Sequence, residues 1–122
     1  PDFVTHIITK LSKREMFYVT GVLYGNPTNI HHLATGINAL VRMSIPPNII
    51  NIAGKDIVSR WALARRIALE FGYSEHYIAL TMRNQNGVAY RPMRAGLRTH
   101  LATTLKIPIY SLNEGLRLMK RR

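Results

Sequence analysis

The apolar residues of this chain change period from one stretch to the next, and that alternation constrains its fold more than any other feature. Phe3, Ile7 and Leu11, with Val4 and Ile8, recur at helical spacing over 2–14. "MFYVT" at 16–20 then turns β-branched and aromatic, as a short strand does. Ile30, Leu33, Ala34, Ile37, Leu40 and Val41 return to helical spacing, and so do Leu63, Ile67 and Phe71. "NIINIAG" at 48–54 reads as a buried strand closed by glycine, and "YIALTM" at 77–82 as another. Helices alternating with strands predict an α/β class. At 122 residues the chain is a single domain's worth, 1–122, long enough for a real core.

Local signals predict where the helices begin and end. Asp2 can accept the free amides of the first turn. Pro27 holds Asn26 extended, Thr28 is read as the N-cap of the second helix, and Pro46-Pro47 stop it. Ser59 caps the third helix and Gly72 ends it; Ser111 and Glu114 make a capping box on the last. Each apolar side chain contributes about 1.5–3 kcal/mol when buried and a cap about 1 kcal/mol, so the stripes set the fold and the caps trim it.

Charge is the unusual quantity. Seventeen Lys and Arg against six acids give +11. Arg83, Arg91, Arg94, Arg98, Lys106, Arg117, Lys120, Arg121 and Arg122 oppose only Glu114 in the last forty residues, a local +8. Such a field favours polyanions, including RNA, and a solvated basic face explains the same residues equally well. No apolar run approaches the roughly 18 residues of a membrane span, and no leader pattern opens the chain, so a cytoplasmic protein with no membrane contact is expected. The chain starts at Pro1, which fits a processed, trimmed or partial polypeptide.

Self-sufficient chemistry is hard to build from these residues. With no cysteine, disulfides, thiolates and Cys-based zinc sites are excluded. His31 and His32 are adjacent on a helix and point about 100° apart, so they do not converge on a metal. The glycines form neither G-x-G-x-x-G nor a Walker loop, the six acids are dispersed, and no G-x-S-x-G elbow is present. What remains suits phosphate: "YRPMRAGLR" at 90–98 sets Arg91, Arg94 and Arg98 beside Tyr90 on a loop shaped by proline and glycine. Arginine forks match phosphate oxygens, and Tyr90 offers a ring for a base or sugar.

Read in order, "FVTHIITKL", "YGNPTNIHHLATGINAL", "INIAGKDIVSRWALARRIALEFG", "YRPMRAGL" and "KIPIYSLNEGLRLMKR" resemble successive landmarks of one family. That family is the dTDP-4-dehydrorhamnose reductase-like branch of the extended short-chain dehydrogenase/reductases. The resemblance covers nearly the whole chain but only the back part of such an enzyme. It implies a parent with an N-terminal Rossmann half that binds NAD(P) and carries a catalytic Tyr-x-x-x-Lys. Neither is found in this sequence, where every tyrosine lacks a lysine four residues on and Tyr90 has Arg94 instead. No cofactor is therefore expected in this chain, and NAD(P) only in a complete parent. The resemblance also implies that the "GNPT" helix and "NIINIAG" pack back onto a Rossmann sheet, leaving a lone chain with apolar faces meant for a partner. It assigns nucleotide-sugar contacts to Arg91, Tyr90 and Arg94, and pocket shaping to Asn26 and Thr28.

Departures from the family pattern remove acids and amides. His32 replaces the acid before "LA", Val22-Leu23 replace "D-Q", Arg94-Ala95 replace "N-S", and Arg98 stands where an acid often follows the leucine. Two functions are therefore expected in competition. One is the substrate-binding part of an NAD(P)-dependent nucleotide-sugar reductase, not catalytic alone. The other is a non-catalytic basic subunit, structural or regulatory, of a larger assembly in contact with RNA.

Overall fold

The computed structural model describes residues 2–84 and 89–122. Part of the loop predicted at 83–92 lies outside the described residues. The elements in chain order are α1 (Phe3–Ser12), β1 (Phe17–Thr20), β2 (Tyr24–Gly25), α2 (Ile30–Val41), β3 (Val58–Ser59) and α3 (Arg60–Phe71), then a 3-10 turn (Glu75–Tyr77), β4 (Ile78–Thr81), α4 (His100–Thr104) and α5 (Leu112–Lys120).

The fold is organised on α3. Its Leu63, Ala64, Ile67 and Ala68 are buried, and they meet Ile7 and Leu11 of α1, Leu112 and Leu116 of α5, and Val19 and Ile78 of the strands. The alanines let neighbouring elements approach closely, while Ile7, Leu11 and Ile67 supply the largest fully buried volumes. β1 and β4 pair in parallel, Phe17 opposite Ile78 through Thr20 opposite Thr81, and α3 lies in the crossover between them.

Four helix termini follow the local signals. Asp2 Oδ1 accepts from Thr5 N at 2.8 Å, and Ser59 Oγ from Ala62 N at 3.1 Å. Gly72 ends α3 at φ +77°, a left-handed conformation that glycine adopts without a Cβ penalty. Ser111 and Glu114 close a reciprocal capping box, with Glu114 Oε2 accepting from Ser111 N at 2.7 Å. These bonds fix the sign of an acid response. The Thr5 amide holds the Asp2 carboxyl below its ordinary pKa, and the Ser111 amide does the same for Glu114. A depressed carboxylate pKa contributes stability that is present above the unfolded value and lost as pH falls through the folded one. The urea midpoint should therefore drop as pH falls through about 4, and drop less in an Asp2→Asn/Glu114→Gln variant.

Two sequence expectations need correction. Asn29, not Thr28, caps α2: Asn29 Oδ1 accepts from His31 N at 2.8 Å, and the Thr28 hydroxyl is engaged elsewhere. "NIINIAG" forms no strand, because no partner segment within the described residues reaches it, and Ile49 is 84% exposed. The β2–β3 pair and α4 were not anticipated; both are too short to show a period.

The apolar stripe of α2 is divided, with Leu33 and Leu40 half-buried and the rest facing outward. Ile30, Ala34, Ile37 and Val41 all lie exposed along one side of the helix, with Ile30 and Val41 about three-quarters accessible. Tyr18 and Leu80 are likewise exposed on the two-stranded sheet. An isolated pair of strands is marginal in water, and parallel sheets are normally covered on both faces, so these apolar surfaces are of the kind that further structure covers.

Candidate functional site

The "GNPT" turn acts as a knot that ties two distant segments together. Asn26 Nδ2 donates to Gly54 O (2.8 Å) and Leu97 O (3.1 Å), and its Oδ1 accepts from Leu97 N (2.6 Å). The Thr28 hydroxyl donates to Asn26 O (2.8 Å) and accepts from Gly54 N (2.9 Å). Gly54 crosses the turn so closely that a Cβ there would sit 2.1 Å from Pro27 O. Asn26 and Thr28 thus spend their polar atoms on the framework.

That framework carries the arginine loop. Tyr24 of β2 pairs with Ser59 of β3 on one side, and on the other it donates from N to Met93 O (2.8 Å) and accepts at O from Ala95 N (3.2 Å). The chain around 91–95 is thereby held beside the start of α3. Asn84 Nδ2 also donates to Arg91 O at 3.1 Å.

Two clefts open on this face, of about 920 and 420 Å³. They share Phe3, Leu23, Arg60 and Arg91, so the two arginines stand at a seam between them. The larger cleft adds His6, Arg83, Thr20 and Thr81; the smaller adds Tyr24, Pro27, Val58, Leu63 and Pro92. No acid lines either cleft among the described residues. Arg60 is the first residue of α3; its amide donates to Leu23 O at 3.0 Å, and its guanidinium lies 5.9 Å from the Phe3 ring centre. The arrangement is a cationic groove with an apolar annex, suited to an anion attached to a flat or hydrophobic group.

Of the five residues expected at the site, only Arg91 lines both clefts. Asn26 borders the smaller one with its side chain committed to Gly54 and Leu97. Thr28 faces a separate small cavity under α5, of about 70 Å³. Tyr90 is 74% exposed and, like Arg94, lines neither cleft. Arg60 and His6 were missed because they come from α3 and α1, and only the fold brings them beside Arg91.

The other cations are dispersed. Arg117 donates to Asn113 O at 3.2 Å, and Lys120, Arg121 and Arg122 lie at the end of α5, away from both clefts. This placement lends no support to an RNA surface. His32 stacks on Tyr110 with ring centres 3.9 Å apart, and no cluster of three metal-ligating residues occurs among the described residues. No described helix is long and apolar enough to cross a membrane.

The RmlD substrate binding domain profile matches residues 1–121. The chain belongs to this family. A dTDP-4-dehydrorhamnose reductase from Bacillus anthracis, solved with NADP, superposes with a TM-score of 0.83 at 19% identity, covering 96% of this chain and 42% of that one. A hypothetical dTDP-4-dehydrorhamnose reductase from Sulfolobus tokodaii gives 0.80 at 22% identity, covering 94% and 41%. The UDP-glucuronic acid 4-epimerase of Bacillus cereus, solved with NAD, gives 0.64 at 20% identity, covering 93% and 35%. No curated protein sequence matches significantly. The fold is thus α/β and is shared with part of an extended short-chain dehydrogenase/reductase; this chain spans about two fifths of the length of the reductase chains it matches.

The turn that leads from β2 into α2 does not offer a dinucleotide cradle. The entry from β2 into α2 is closed by the Asn29 cap, whose Nδ2 also donates to Gly115 O at 3.2 Å. Its Gly54 neighbour is packed against Pro27, leaving no open backbone for a pyrophosphate.

Proposed function

We propose that residues 1–122 form the substrate-binding part of an NAD(P)-dependent nucleotide-sugar reductase of the dTDP-4-dehydrorhamnose type. One observation carries this reading: Arg60 and Arg91 both line the seam of two clefts in which no carboxylate takes part among the described residues. A nucleotide diphosphate presents two negative charges in a compact group, and two guanidinium forks at a seam match it. The apolar annex around Tyr24, Val58 and Pro92 then takes the nucleoside, and the polar lobe takes the sugar.

Hydride chemistry is supplied by residues outside this chain. The reductase solved with NADP is a chain more than twice as long, which supports a cofactor-binding half elsewhere. The outward stripe of α2 and the bare two-stranded sheet are the surfaces such a half would cover. This chain's own work is to bind and orient the substrate.

The test is calorimetric titration of dTDP-glucose into the native protein, purified with any partner it holds. Saturable binding should weaken about tenfold or more in Arg91→Gln, the loss expected for one charge-assisted contact. Undiminished affinity in that variant would contradict the assignment.

A further inference from the structure

We infer that Asn26 is a positioning residue: it touches no substrate atom and sets substrate affinity by fixing the segment that carries Arg91. The inference rests on the nucleotide-sugar reading and deepens it. Tyr24 N donates to Met93 O at 2.8 Å and Tyr24 O accepts from Ala95 N at 3.2 Å, the two bonds of a parallel bridge centred on Arg94. The next rung of such a ladder would run from Leu97 N to Asn26 O. Asn26 O instead accepts from the Thr28 hydroxyl at 2.8 Å, and the Asn26 side chain takes the rung. Its Oδ1 accepts from Leu97 N at 2.6 Å and its Nδ2 donates to Leu97 O at 3.1 Å, so one amide pairs both backbone groups of one residue. The same Nδ2 donates to Gly54 O at 2.8 Å, which roots the pair in the scaffold.

Residues 23–26 thereby set both arginines. Leu23 O accepts from Arg60 N at 3.0 Å, while Tyr24 and Asn26 hold the 93–97 segment. Pro92 carries that restraint back to Arg91, because its ring fixes φ at about −65° and leaves the joint between Arg91 and the anchored Met93 one torsion stiffer. Two guanidinium groups answer one diphosphate only when their spacing is kept. A segment already held binds without the cost of being ordered by the ligand.

The test is a double-substitution cycle, read by calorimetric titration of dTDP-glucose into the native protein with any partner it holds. Asn26→Ala should weaken binding about tenfold when Arg91 is present and less than about twofold in the Arg91→Gln background, because the loss passes through Arg91. Hydrogen exchange on the unsubstituted protein gives a second reading that does not depend on the variant folding. Coupling is reciprocal, so saturating dTDP-glucose should slow exchange of the Leu97 amide about tenfold, and that of the Thr103 amide, bonded to Thr99 O in α4, less than about twofold. Equal fractional losses in the two backgrounds, or a Leu97 amide that exchanges no more slowly with ligand, would overturn the inference and leave the nucleotide-sugar reading standing. Absence of binding by the unsubstituted protein would overturn that reading and the inference with it.

Discussion

Gly54→Ala is expected to destabilise the protein by about 4 kcal/mol or more, at the upper end of single-residue effects. The added Cβ would lie 2.1 Å from the Pro27 carbonyl oxygen, a backbone atom that no side-chain rotation can move away. Relief requires separating the two segments, which breaks the Gly54 bonds to Asn26 and Thr28 and frees the loop that carries Arg91. Thermal unfolding followed by circular dichroism measures this directly, with a fall of well over 10 °C anticipated for about 4 kcal/mol in a chain of this size. Gly21→Ala is the control. Its Cβ would meet Leu80 Cδ1 at 2.7 Å, the far end of a flexible side chain, and a cost of only about 1 kcal/mol is expected. A Gly54→Ala protein that melts with the wild type would show that the crossing is looser than the structure has it.

The second large effect concerns assembly. Ile37 and Val41 lie on the outward face of α2, 47% and 75% exposed, and contribute little to this chain's own core. If a cofactor-binding half covers them, burying each contributes about 1.5–3 kcal/mol. Ile37→Glu/Val41→Glu should then weaken association with that half by roughly 100-fold or more while the domain keeps its melting temperature. Sedimentation of the assembled protein reads the outcome. A double variant that stays fully assembled would mean that α2 faces solvent in the native state.

What the sequence revealed was what short-range chemistry decides. Asp2, Ser59, Gly72 and the Ser111–Glu114 box each act within four residues of themselves, and each occupies the role its neighbours dictate. Thr28 and Asn29 are both good caps, and the choice between them is made by Gly54, twenty-six residues away, which takes the Thr28 hydroxyl. "NIINIAG" has a strand's composition but lacks a neighbouring strand within the described residues, and pairing is a property of the sheet. The α2 stripe was legible as a helix and silent about what it faces.

The site divides the same way. Arg91 was read as a candidate because three arginines on a loop shaped by proline and glycine are a local pattern. Arg60 and His6 carry no such pattern; they join Arg91 only because α1 and α3 pack together and Tyr24 holds the 93–95 segment beside them. Tyr90 and Arg94 share the loop with Arg91, yet they line neither cleft.

Native mass spectrometry of the protein from its own source, beside its denatured mass, tests the central claim most directly. The account predicts a species well above 13.9 kDa in which this chain is covalently continuous with, or tightly bound to, a cofactor-binding half. A free 13.9 kDa chain, or an assembly that lacks such a half, would contradict it.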